Sequence, residues 1–258
     1  MSGTEAIRVE CDGPIMTVTM DRPEVLNALD PAAHGQMARA FDRYAADDDL
    51  HVAILTGAGE KSFCVGSDLK VRSEMGGDDM PATGFGGLAE RFDLMKPVIA
   101  AVNGHAIGGG LEIVLACDLA VAVPGAKFGL PEVKVGLAAS GGLHRLARQL
   151  PMKHAMDIAL SGRLFSAETA RDYGLINQVV DADVLMDTVR GLANELLEGA
   201  PMALRATKQM MLEGLGAASL QAAFNAQYAE YDAMLKSADA VEGSAAFLEN
   251  RKPVWKNR

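Results

Sequence analysis

Val98-Ile99-Ala100-Ala101-Val102-Asn103-Gly104, followed by Ile107-Gly108-Gly109-Gly110-Leu111-Glu112-Ile113-Val114-Leu115, is the stretch on which the fold turns. An unbroken apolar run rich in β-branched residues reads as a strand buried on both faces, and Asn103-Gly104 ends it. Three consecutive glycines then open an apolar helix predicted to run to Cys117. The same order recurs upstream, where the buried strand Val52–Thr56 ends in Gly57-Ala58-Gly59 and Phe63–Lys70 forms a second turn region. It returns at the strand Leu119–Val123. Strand–turn–(strand)–helix units starting near residues 52, 98 and 119 predict an α/β core that is wound or spiral.

Further out, Ile15–Met20 alternates like a strand and Asp21-Arg22-Pro23 breaks it. Asp30-Pro31 supplies N-cap and first residue of a helix to about Ala46, with Met37, Phe41 and Tyr44 on one face. Glu74–Gly87, rich in Gly and Asp, reads as a mobile loop, Leu88–Met95 as a short helix and Phe128–Gly142 as irregular. Leu175–Val180 is predicted as a strand, and Ser166 as the N-cap of the helix before Gly174. From Pro201 to Trp255 the periodicity is helical. The expected division is a core over residues 1–200 and a helical region over 201–258.

Composition narrows the function. The chain has 258 residues, 49% hydrophobic, and a formal charge of −10. An acidic surface argues against non-specific nucleic-acid binding, which needs cations to displace counterions from phosphates. Cys11, Cys64 and Cys117 have neither CxxC spacing nor a close His, which speaks against a zinc site or disulfide framework and suits a reducing cytoplasm. Leu111–Val123, the longest apolar stretch, is interrupted by Glu112 and Asp118 and is too short to span a bilayer. MSGTEAIRVE lacks the basic and apolar regions of a secretory signal. A soluble enzyme is expected, with no metal and no membrane partner.

Two turns carry the chemistry: Val65-Gly66-Ser67-Asp68 and Gly108-Gly109-Gly110. The first N–H groups of a helix lack intrahelical partners, and two such groups converging from separate turns would form an oxyanion hole. Glycines that merely allow tight packing are the alternative. Glu112 stands in a buried helix, where a carboxylate is costly unless paired or employed, although a first-turn Glu also suits the helix dipole. Glu132, after Pro131 on an irregular segment, is either a surface charge or a second titrating group. Two carboxylates in one apolar pocket would have divergent pKa values and could serve as base and acid. Gly57-Ala58-Gly59-Glu60-Lys61-Ser62 fails as a phosphate loop, Ser67 and Ser140 lack the GxSxG frame, and no HExxH occurs. His105, Lys70 and Arg72 could touch a ligand or be, respectively, a packed histidine and solvated charges.

Taken together, Asp21-Arg22-Pro23…Asn27-Ala28-Leu29, Phe63–Leu69, Lys96–Gly104, Ile107–Glu112, Cys117-Asp118, Phe128–Glu132, Gly141-Gly142 with Arg145-Leu146, and Ser166-Ala167-Glu168…Gly174-Leu175-Ile176 resemble the crotonase (enoyl-CoA hydratase/isomerase) superfamily. The resemblance covers nearly the whole chain. It implies a spiral of ββα units with a C-terminal helical region that mediates trimerisation, usually as a dimer of trimers. It further implies a coenzyme A thioester substrate with no permanently bound cofactor and an oxyanion hole from the N–H groups of Ser67 and Gly109. Val65, Gly66, Ser67, Asp68, Leu69 and Lys70 should line the coenzyme, with Val25 opposite. Because both Glu112 and Glu132 are present, the resemblance favours an enoyl-CoA hydratase, a hydro-lyase, over an isomerase on the same fold or a non-catalytic coenzyme A or RNA binder. Glu242-Gly243…Lys256 together with Val52–Lys70 looks similar to the carnitinyl-CoA dehydratase branch, the alternative reading. Val65 and Ser67 replace alanines common in the first turn, and Leu137–Ser140 lacks a proline common before the paired glycines. Those departures bear on acyl specificity.

Overall fold

A computed structural model describes residues 5–75 and 79–258. The chain begins with the antiparallel pair β1 (Ile7–Asp12) and β2 (Ile15–Met20), then α1 (Pro31–Ala46). The Asp30 side chain accepts the Ala33 N–H at 2.8 Å, which caps α1 as its sequence predicts. Met37, Phe41 and Tyr44 are fully buried on its inner face, each contributing roughly 1.5–3 kcal/mol on apolar burial. Tyr44 also donates its hydroxyl to the Pro97 carbonyl at 2.7 Å, satisfying the polar end of a buried ring.

Three ββ units follow. The first is β3 (Val52–Gly57) with β4 (Ser62–Cys64), leading into α2 (Leu69–Met75). The second is β5 (Val98–Val102) with β6 (His105–Ile107), leading into α3 (Gly109–Ala116). The third is β7 (Leu119–Ala122) with β8 (Lys127–Gly129), leading into a 3-10 turn at Pro131–Val135. In each unit the first strand joins a large sheet of order β1-β2-β3-β5-β7-β10 and the second a small sheet of order β4-β6-β8-β9. Pairing from β2 to β10 and from β4 to β8 is parallel. Each unit therefore crosses from one sheet to the other before its helical turn, the spiral that the recurring turns predict. Residues of β3 and β5 are buried throughout, which is why both read as unbroken apolar runs.

The remaining elements are α4 (Leu143–Gln149), α5 (Met152–Ser161), β9 (Phe165–Ser166), α6 (Ala167–Asp172), β10 (Gln178–Val179), α7 (Leu185–Leu197), α8 (Pro201–Leu215), α9 (Leu220–Asn225), α10 (Ala229–Leu235) and α11 (Ala238–Leu248). Ser166 caps α6 by accepting the Thr169 N–H. Helix α7 packs across β3, β5 and β7. Lys208 of α8 ties the C-terminal helices to the core through the Lys96 carbonyl and Asp118.

Four local expectations need correction. Leu88–Met95 is not a helix but a turn at residues 88–90 followed by irregular chain: Leu88, Ala89 and Leu94 are buried, and Arg91 reaches back to Asp42 at 2.7 Å, so tertiary anchoring overrides propensity. Only Gln178–Val179 of the segment Leu175–Val180 pairs as strand, because Asn177 spends its side chain capping the Ala120 N–H. Regular helix in the tail ends at Leu248, after which Val254, Lys256 and Asn257 donate backbone N–H groups to Glu242 and Asp239. Of the loop expected at Glu74–Gly87, Glu74 and Met75 close α2, Gly76–Asp78 lies outside the described residues, and Phe85–Gly87 is a buried 3-10 turn.

Candidate active site

The first turn is built against the segment that precedes α1. Gly66, at φ +97°, lets the chain leave β4 sharply. Leu29 then pairs with Ser67 as a parallel bridge: its N–H donates to the Gly66 carbonyl and its carbonyl accepts the Asp68 N–H, both at 2.9 Å. Since successive N–H groups of an extended segment point to opposite sides, Ser67 turns its N–H away from Leu29. A β-carbon placed on Gly66 would stand 3.2 Å from the Gly109 nitrogen, so the second turn lies directly beside the first.

Two polar side chains brace this arrangement. Arg22 donates to the Ala28 carbonyl at 2.6 Å and pairs with Asp30 at 3.1 Å and Asp68 at 3.3 Å, linking the helix cap to the turn. Asn27 is wholly buried at positive φ; it accepts the Arg22 N–H and donates to the carbonyls of Ala58 and Ser62. Both residues stand in stretches that the sequence marks, yet their bracing role is visible only once residues far apart in the chain meet. A buried Asn beside an Arg-Pro turn is the one signal that could have suggested it.

In the second turn Gly108 sits at φ +58° as the N-cap of α3, and Gly109 is the first helical residue. Glu112 follows in the same helical turn, its N–H bonded to the Gly108 carbonyl, and is only 6% exposed. Its carboxylate is tucked against Gly141 and Gly142: a β-carbon on Gly141 would be 3.0 Å from Oε2. Burial, and then the nearby Glu132 charge, push the Glu112 pKa up to about 7, against the opposing pull of the Gly141 and Gly142 N–H groups.

Glu132 enters from the 3-10 turn at Pro131–Val135, where the proline sets the first turn. Its Oε1 stands 3.0 Å from where a β-carbon on Gly108 would be, so the missing side chain makes room for the carboxylate. Burial raises its pKa as well. Its Oε2 is buried without a hydrogen-bond partner among the described residues. Such an oxygen is costly unless protonated or given a donor, as a bound water or substrate would do.

The structure thus brings Glu112, Glu132 and the turns bearing Ser67 and Gly109 into one place. Val65 is half-buried at the exit of β4, and Val25 is half-buried on the turn Pro23–Val25 that leads into the Leu29 bridge. Leu69 and Lys70 begin α2 and are exposed, while Asp68 is engaged with Arg22. His105 opens β6 in the small sheet, where its Nδ1 accepts the Lys127 N–H.

Residues 10–258 match the family model for enoyl-CoA hydratase/isomerase. The chain belongs to the enoyl-CoA hydratase/isomerase family. It is 42% identical over 265 residues to a carnitinyl-CoA dehydratase of Salmonella enteritidis, covering 99% of this chain and 100% of the relative. Among solved structures it is similar to an enoyl-CoA hydratase from Mycobacterium marinum, with a TM-score of 0.91 and 40% identity over 98% of this chain and 99% of that one. It is also similar to a carnitinyl-CoA hydratase from Mycobacterium avium, with a TM-score of 0.78 and 38% identity over 98% and 99% of the two chains. The two-sheet spiral with its helical C-terminal region is accordingly the crotonase fold. Among the described residues no helix is long and apolar enough to cross a membrane.

Proposed function

We propose that this member of the enoyl-CoA hydratase/isomerase family is an acyl-CoA hydro-lyase that adds water reversibly, and syn, to a 2-enoyl-CoA. The observation that carries the reading is the pair of raised-pKa carboxylates beside two glycine turns, one with a buried oxygen lacking a donor. In this reading the N–H groups of Ser67 and Gly109 donate to the thioester oxygen and stabilise charge as the enolate develops. Glu112 removes a proton from the water that attacks C3, and Glu132 delivers one to C2. Because the two carboxylates interact, their titrations belong to the pair, and a shared water could exchange part of their roles. Val25 and the stretch Val65–Lys70 line the coenzyme A moiety, and no permanent cofactor takes part.

The helices of residues 201–258 expose Met211, Leu215, Leu220, Phe224 and Phe247, an apolar surface that we assign to association of copies into a trimer or a dimer of trimers. Sedimentation at monomer mass would contradict that assignment. The division into a core over 1–200 and a helical region over 201–258 is part of the same proposal.

A second reading, dehydration of a carnitinyl-CoA, is favoured by the 42% identity to the carnitinyl-CoA dehydratase, which spans both chains end to end. The site chemistry is the same in either case, so only the acyl group separates them. A steady-state panel of crotonyl-CoA against crotonobetainyl-CoA decides: higher kcat/KM on the former supports the hydratase, and on the latter the dehydratase. Turnover of neither by the purified protein would overturn the hydro-lyase reading.

A further inference from the structure

The glycine-rich segment before β5 bears directly on the second turn. Phe85-Gly86-Gly87 is buried between α1 and α3. Gly86 and Gly87 lie at φ +60° and +66°; a β-carbon would stand 2.6 Å from Ile113 Cδ1 at the first and 2.7 Å from the Ala38 backbone at the second. Bare backbone therefore fills the gap between the two helices. Phe85 is the one large side chain of this wedge, and a β-carbon on Gly109 would overlap its ring. From α1, buried His34 fixes the wedge: its Nδ1 accepts the Gly86 N–H at 3.1 Å, and its ring meets Phe85 edge-on with centroids 4.6 Å apart. That bond needs a neutral imidazole with Nδ1 as acceptor.

We propose that Phe85, set in place by His34, is a positioning residue that fixes the direction of the Gly109 N–H. The peptide between Gly108 and Gly109 joins two residues with no side chains of their own, so its plane can rotate unless a neighbour prevents it. The Phe85 ring occupies the space into which Gly109 would move. A preorganised donor loses its value when tilted away from the developing charge. The inference rests on the oxyanion-hole reading given above. It adds a residue that acts through Gly109 without contributing a reacting group.

The test uses two readouts on the full chain: crotonyl-CoA hydration, and the near-ultraviolet band of the acetoacetyl-CoA enolate, which forms by loss of a C2 proton to solvent or a site carboxylate and is held by the oxyanion donors without any addition of water. Phe85→Leu is expected to lower kcat about 10- to 100-fold, the scale of small misplacements in catalytic geometry, with KM changed less than about twofold, and to weaken the enolate band. His34→Leu should move both readouts the same way, and His34→Asn, whose Oδ1 can stand in for Nδ1, should restore most of the loss. Unchanged kcat and enolate band in Phe85→Leu, with only the melting temperature lowered, would overturn the inference and leave packing as the role. Should Phe85→Leu fail to fold, the His34 pair decides, since equal kcat and band in His34→Leu and His34→Asn overturns it too. A wild-type protein that shows no enolate band overturns the oxyanion hole itself. Wild-type protein that shows the band but no hydration overturns only the hydro-lyase reading.

Discussion

The turn after β4 and the turn after β6 are successive copies of one architectural step, but they are filled differently. At Gly110 a β-carbon would overlap the Cys64 carbonyl, and at Gly109 it would overlap Phe85. The first turn carries side chains at Val65 and Ser67, both half-buried, and is braced instead by Arg22 and Asn27 through the Leu29 bridge. A spiral repeat thus places two turns side by side while leaving each its own support. The second is held by close packing and the first by hydrogen bonds. Substitution should therefore be costly at the second turn and graded at the first.

The largest effect is expected for Gly110→Ala. The clash is with backbone, which cannot step aside, so a loss of about 3 kcal/mol or more is predicted from urea unfolding, or failure to fold. A protein of unchanged stability would break the claim that packing alone shapes this turn. Next comes Glu112, on the helix that the second turn opens. Its folded pKa of about 7 lies above the ordinary 4.5, so the native state holds an extra proton between those values. Stability from this group is complete below pH 4.5 and is lost as pH rises through 7, by on the order of 3 kcal/mol. Glu112→Gln should therefore gain stability over the wild type between pH 5 and 8, and parallel stability curves for the two proteins would contradict this.

Gly66→Ala sharpens the comparison from the other side. Its positive φ and 3.2 Å approach to Gly109 predict about 1–3 kcal/mol of strain, with a fall in kcat as the two turns are pushed apart. Smallest of all is Ser67→Ala, which keeps the backbone N–H: stability should change by less than about 0.5 kcal/mol and kcat by only a few fold. A large loss of kcat there would mean that the hydroxyl, and not only the backbone, takes part.

The elements that sequence made legible are those whose signals are local. Asp30-Pro31 marks the start of α1 to the residue, Ser166 caps α6, and the apolar runs at β3 and β5 announce strands buried on both faces. Glu112 stands out because a charge in an apolar helix asks for a reason, whereas Glu132, on an irregular segment after Pro131, gains its meaning from the family resemblance. What stayed hidden depends on contacts between distant residues. Leu88–Met95 is held out of a helix by Arg91 reaching to Asp42, and Phe85 inside a glycine-rich segment looks like loop until α1 and α3 close on it. Gly141 and Gly142 could be read as a turn, but not as the groups against which Glu112 rests.

The account stands on the two carboxylates working together on one water. Hydration of crotonyl-CoA by the wild type, Glu112→Gln and Glu132→Gln, measured side by side at pH 8, tests it most directly. Each substitution should lower kcat at least about 100-fold, the usual contribution of a positioned acid or base, while circular dichroism stays unchanged. Either variant turning over at the wild-type rate would contradict the account.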